Sequence, residues 1–249
     1  MSAPSDHRVR PRLVLVTPRP APGPEFAATL AEALSGGDVA AVVIDLFGLD
    51  DAAGQTLAEA LVPVAQAAGA AALVAGDTRI GGRAKADGVH LEVSALLTAD
   101  GHGRDGTDAD EEPDDDDGPD PAGAALTALV ERLHPAKMVG AGGLRGRHDA
   151  MLAAEAGVDY VFTGRLDLVE GDAPHGKTLA FADWWAPLFE IPCVALAGRS
   201  IEGVGEIVAI GVEFVGLRAA VWEHGSGPAA AVAAANAAIE AALAAAPDA

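Results

Sequence analysis

The sequence predicts a single (β/α)8 barrel, and three observations carry that expectation. Eight short apolar runs recur along the chain, a helix-like stretch follows nearly every one, and the length of 249 residues suits one such domain. The runs are 13–17, 39–45, 71–75, 88–92, 137–140, 159–163, 193–197 and 213–217. They are mostly continuous rather than alternating, as parallel strands buried on both faces require.

Between the runs, stretches 25–34, 54–67, 122–133, 147–156, 180–188 and 202–210 are rich in Ala, Leu and Glu. Their apolar residues step by three and four, the spacing of one helix face. A further helix, 229–246, closes the chain. The stretch after the third run, 78–86, holds two glycines and has room for only one or two turns.

Half of the residues are hydrophobic but only 4% are aromatic, so the core is expected to be aliphatic. No uninterrupted apolar run reaches 18 residues and residues 1–12 lack an apolar signal core, so neither a membrane span nor export is expected and the location read from the sequence is cytoplasmic. Residues 1–11 read as a flexible tail. The single cysteine, Cys193, falls in a buried strand and reads as a packed thiol rather than a nucleophile.

Residues 100–120 hold eleven acidic side chains and one base, Arg104, a net −10 of the formal −21; about −11 is left for the rest. Such a segment cannot bury enough surface to offset its ordering entropy, so 99–121 is expected to be a disordered loop inserted after the fourth strand. Neither part suits nucleic acid, whose phosphate backbone needs a basic surface.

The placement of the bases says more than their number. Arg19, Arg79, Arg145, Arg147, Arg165, Lys177, Arg199 and Arg218 all fall in or near segments that follow a predicted strand. In a barrel those loops share one mouth, where guanidinium forks suit a phosphate. Gly142-Gly143 and Ala197-Gly198-Arg199-Ser200 precede predicted helices, where backbone N–H groups can hold an anion. A phosphorylated small molecule is the expected partner; the sequence leaves a homo-oligomer open.

Several segments in order resemble one family. They are Ala86-Asp87-Gly88-Val89-His90-Leu91, Met138-Val139-Gly140, 156–164 (Ala-Gly-Val-Asp-Tyr-Val-Phe-Thr-Gly), 191–198 (Ile-Pro-Cys-Val-Ala-Leu-Ala-Gly) and 211–217 (Gly-Val-Glu-Phe-Val-Gly-Leu). Their order and spacing are similar to those of the thiamine phosphate synthase and thiazole tautomerase superfamily of phosphate-binding barrels. The resemblance implies a transferase that joins hydroxymethylpyrimidine diphosphate to thiazole phosphate and releases pyrophosphate. It also implies Mg²⁺, with Asp77 as one ligand and Glu92 as a second oxygen donor. Arg79 and Lys177 would face the diphosphate; Gly198 and the turn from Gly216 to Ala219, with Arg218, would hold the thiazole phosphate. Gly142, Gly143, Arg145, Arg165 and Arg199 complete the expected phosphate-binding set.

The chain also departs from the family pattern. Where synthases carry Gln-x-Arg-x-Lys at the end of strand two, this sequence has Ile44-Asp45-Leu46-Phe47-Gly48. The loop after strand four reads Glu92-Val93-Ser94-Ala95 in place of Gly-Gln-Glu-Asp, and the position of the family's Ser-x-His falls on Gly143-Leu144-Arg145. Two other readings therefore stay open: a non-catalytic barrel binding a phosphate or thiamine ligand, and a tautomerase-like enzyme. Asp77 could equally cap the next helix, and His90 reads more as packing than as catalysis. His175 is a better ligand contact than His148, and Trp184 and Trp185 read as braces between helix and barrel.

Overall fold

Each apolar run becomes a strand because its two faces meet different apolar partners. A computed structural model describes residues 9–99 and 121–245. The strands are β1 (Arg12–Val16), β2 (Val39–Asp45), β3 (Ala71–Ala75), β4 (Gly88–Glu92), β5 (Met138–Gly142), β6 (Tyr160–Thr163), β7 (Cys193–Leu196) and β8 (Phe214–Leu217). All pair in parallel with their sequence neighbours, and β8 returns to β1 to close the barrel. The expected fold is the observed one.

The helices are α1 (Phe26–Leu34), α2 (Asp51–Ala67), α3 (Thr78–Arg83), α4 (Val93–Ala99), α5 (Pro121–Leu133), α6 (Arg147–Glu155), α7 (Gly176–Trp185), α8 (Val204–Ile210), α9 (Ala219–Trp222) and α10 (Pro228–Ala245). As expected, α3 is a short helix of six residues. The acidic insertion, 100–120, lies outside the described residues. Side chains on the outer strand face, among them Leu15, Ile44, Val74 and Val161, pack with Leu57, Leu61, Ala153, Trp185 and Ile207 of the helices. The inner face forms a separate cluster with Val14, Val16, Val43, Leu73, Tyr160, Phe162, Val194 and Leu196.

Pairing register decides what else points inward. Ala75 pairs with His90, His90 with Gly140, and Gly140 with Tyr160, so these residues share one level of the interior. Methyl groups on β5 would not fit there. A Cβ at Gly140 would lie 1.9 Å from the Tyr160 ring, and one at Gly142 would lie 2.4 Å from His90 Nε2. The bare face of β5 thus makes room for a buried His90 Nδ1 to Tyr160 hydroxyl hydrogen bond of 2.9 Å.

The opposite end of the barrel is held by acids placed just ahead of even-numbered strands. Asp87, before β4, accepts the Ala72 N–H of β3 at 2.8 Å. Asp159, before β6, accepts the Val139 N–H of β5 at 2.7 Å, and Glu213, before β8, accepts the Cys193 N–H of β7 at 2.9 Å. At the same point before β2, Asp38 pairs with Arg12 of β1 at 2.7 Å, and the guanidinium holds its carboxyl below the usual carboxylate range. Each backbone group would otherwise lack a partner at the barrel's edge. Asp87 and Asp159 belong to segments that carry the family resemblance, and here they act on the scaffold.

Helix α10 packs in the outer layer between α1 and α8, with Val232 and Ile239 fully buried. It is 18 residues long with a mean hydropathy of 1.4, so by length and composition it could cross a membrane; in this fold it is seated on the barrel. Arg10, within the expected tail, bonds Asn236 of α10 at 3.0 Å and Asp38 at 3.2 Å.

Candidate functional site

At the carboxyl ends of the strands the mouth divides into two unlike halves. Over β1 to β3 the charged side chains pair with one another. Arg19 Nε donates to Asp45 Oδ2 at 2.7 Å, and both are buried or nearly so. The same guanidinium lies 4.0 Å above the Phe47 ring, which is 62% exposed. The end of β2 therefore holds an internal ion pair where the family pattern would place a cationic clamp. Asp45 also accepts the Phe47 N–H at 3.0 Å, which fixes the turn.

Asp77 caps α3 by accepting the Arg79 N–H at 2.7 Å, and the Arg79 side chain folds back on the same carboxylate. That bonding holds Asp77 below the usual carboxylate range. Glu92, one strand over, has a different setting: burial raises its carboxyl above the usual range. His90 Nε2 stands 3.9 Å from Glu92 Oε1, is fully buried and has no hydrogen-bond partner. Desolvation lowers the His90 pKa to about 4, so the imidazole is neutral near pH 7 and the contact is not an ion pair. These residues make a poor Mg²⁺ seat. Asp77 is engaged by a guanidinium, burial disfavours the charged form of Glu92, and among the described residues no three His, Cys, Asp or Glu side chains group as metal ligands.

Over β5 to β7 the mouth opens into a cleft of about 890 Å³. Arg145, Arg147, Arg165, Lys177 and Gly198 line it, with Thr163, Thr178 and His175. Arg147 lies 4.7 Å over the Trp184 ring and Arg165 pairs with Asp167. Among the described residues no carboxylate pairs with the side chains of Arg145 or Lys177. Those two are the cations with the least to give up on meeting an anion. His175 accepts the Lys177 N–H at 3.1 Å and caps α7, the helix that carries Lys177. Trp185 is fully buried, donates to the Ile191 carbonyl at 2.8 Å and stacks on Phe189 at 4.0 Å, the brace expected of it.

The remaining sequence candidates stand apart from the cleft. Arg79 lies with Asp77 and Asp51 beside α3. Gly142 makes room for His90, and Gly143, at φ +66, faces Glu92. Gly216 packs on Val194 and Phe162 inside the barrel. Arg199 pairs with exposed Glu223, and Arg218 is buried against Leu166, Leu168 and Glu170. Thr163 and Thr178 were missed as cleft residues, whereas Arg147 was placed at the mouth but not in the phosphate-binding set. Neither threonine left a sequence signal.

Fold and cleft define a (β/α)8 barrel with cations gathered at the carboxyl ends of its strands. The comparisons identify which such barrel it is. Residues 13–101 and 122–221 match the family described as thiamine monophosphate synthase, and the chain belongs to that family. The thiamine-phosphate synthase of Hyphomonas neptunium is 34% identical over 242 residues, 94% of this chain and 96% of that one. That of Rhodospirillum centenum is 34% identical over 226 residues, 89% and 94% of the two chains. Among solved structures, a thiamine phosphate pyrophosphorylase from Pyrococcus furiosus aligns with a TM-score of 0.66 over 96% of this chain and all of that one. At 18% identity that likeness supports the fold alone.

Proposed function

We propose that this protein is a thiamine phosphate synthase, joining hydroxymethylpyrimidine diphosphate to thiazole phosphate with release of pyrophosphate. The observation that carries the reading is the cationic cleft over β5 to β7, on a chain 34% identical to relatives named for that activity. The reaction asks little covalent help of a protein. The bond from the pyrimidine methylene carbon to the diphosphate oxygen breaks with its electron pair leaving on oxygen, and the thiazole nitrogen lone pair forms the new C–N bond. Catalysis then rests on holding the departing charge and aligning the reactants. Lys177 and Arg145 hold the diphosphate in this scheme, with Arg147 and Arg165 at the rim. Mg²⁺, when bound, would neutralise part of the same charge. Asp77 and Glu92 do not fit as its seat in the arrangement described above, so no step is assigned to it.

Purified protein given both substrates should form thiamine phosphate, read by fluorescence after oxidation to the thiochrome. Lys177→Ala and Arg145→Ala should each weaken pyrophosphate binding by about 1.5–3 kcal/mol, the scale of a charge-assisted hydrogen bond. Arg132→Ala, on α5, should leave binding unchanged. Absence of product, with pyrophosphate still bound in the cleft, would favour the second reading, a barrel that binds phosphorylated ligands without turnover. The Arg19–Asp45 pair, standing where the family's clamp would be, is the observation behind that alternative.

A further inference from the structure

The segment between β6 and α7 occupies the donors that the turns after β7 and β8 would offer to a phosphate. Arg218 donates through Nη1 to the Leu166 carbonyl at 2.6 Å and through Nη2 to the Leu168 carbonyl at 2.9 Å. Its Nε meets Glu170 Oε1, and the two side chains are only 8% and 6% exposed. After β7, the Arg199 N–H donates to the Gly171 carbonyl at 2.8 Å and the Ser200 N–H to the Asp172 carbonyl at 3.1 Å. Gly198 permits this close approach, since a Cβ there would lie 2.4 Å from the Asp172 carbonyl oxygen.

Three features make this arrangement look exchangeable rather than fixed. The second carboxylate oxygen of Glu170, Oε2, is buried with no partner, so the carboxylate satisfies the site incompletely. Leu168 and Val169, at the crest of the segment, are 52% and 89% exposed, so burial of their side chains does little to hold it down. Glu170, Gly171 and Ala173 line the cleft whereas Arg218 does not, so the segment forms a wall between that cation and a ligand.

We propose that residues 166–172 are a latch in which Glu170 and neighbouring carbonyls hold Arg218 and the Arg199 and Ser200 amides until a phosphate monoester displaces them. The inference rests on the phosphorylated-substrate reading above for the kind of ligand, and not on the reaction. A phosphate carries more charge than one carboxylate and has oxygens enough for the guanidinium and both amides. Glu170 is accordingly an internal competitor that sets the affinity for phosphate esters, and ligand entry is coupled to release of the segment.

The test uses the full chain with methyl phosphate and inorganic phosphate as probes. Glu170→Gln, which keeps the side-chain shape but removes the competing charge, should bind either probe roughly tenfold more tightly than the wild type. In the wild-type protein, hydrogen exchange across 166–172 should quicken on adding phosphate, a readout that does not depend on the variant folding. Wild-type exchange that stays the same at saturating phosphate overturns the latch, as does a Glu170→Gln affinity no higher than wild type. A phosphate-responsive segment in a protein that makes no thiamine phosphate would sink the synthase reading and leave the latch standing.

Discussion

Apart from Asp38, which pairs with Arg12 at the amino end, the two ends of the barrel use acidic residues in different ways. At the amino end of the strands Asp87, Asp159 and Glu213 each accept a backbone N–H from the neighbouring strand, and each acid has a fixed structural partner. At the carboxyl end, acids meet cations: Asp45 with Arg19, Asp77 with Arg79, Asp167 with Arg165 and Glu170 with Arg218. A carboxylate on a backbone amide fixes the fold, whereas a carboxylate on a guanidinium occupies a donor that a ligand could use. The contrast teaches that counting cations at a barrel mouth overstates its appetite for anions until their partners are known.

The largest effect should come from the interior between the two ends. His90 is buried and neutral, with a folded pKa of about 4 below its unfolded value of about 6.5. The unfolded chain therefore binds the proton first. Its contribution to stability is complete above about pH 6.5 and is lost as pH falls toward 4, by on the order of 3 kcal/mol. Denaturant unfolding from pH 7 to 4 should show that loss in the wild type and a clearly smaller one in His90→Gln. Parallel curves would mean that the interior tolerates the charge, and that the acids at the two ends carry the acid sensitivity.

The next effect isolates the amino end. Asp159→Ala leaves the Val139 N–H without its acceptor and should cost about 1–3 kcal/mol of stability, with pyrophosphate affinity unchanged. A matching loss of affinity would break the separation of scaffold and site. The smallest effect falls at the mouth, where Asp77→Ala removes a helix cap and should cost about 1 kcal/mol. Pyrophosphate titrations with and without Mg²⁺ should be alike for this variant and the wild type. Loss of the Mg²⁺ dependence in the variant would return Asp77 to the metal.

All eight strands were legible in the sequence because each is a local apolar run, and most predicted boundaries fall within a residue of those observed. β5 was expected to stop at 140 and runs to Gly142, since glycine is a poor strand signal and is present there for the space it leaves. Helices α4 and α9 gave too few residues for a period to show. The start of α7 was placed at 180 although it begins at Gly176, because a His cap is not among the usual signals. The cleft was half legible. Position after a strand found Arg145, Arg147, Arg165 and Lys177, yet no local pattern joins Arg218 to Glu170, which lies 48 residues earlier in the chain.

Cys193 gives the barrel a built-in clock. It is the only thiol in the chain, it lies on β7 with no exposed surface, and burial pushes its ionisation far above the usual thiol range. The wall of the barrel must part before a thiol reagent can reach it. The labelling rate under native conditions thus reports how often β7 becomes accessible, with no engineered probe in the chain.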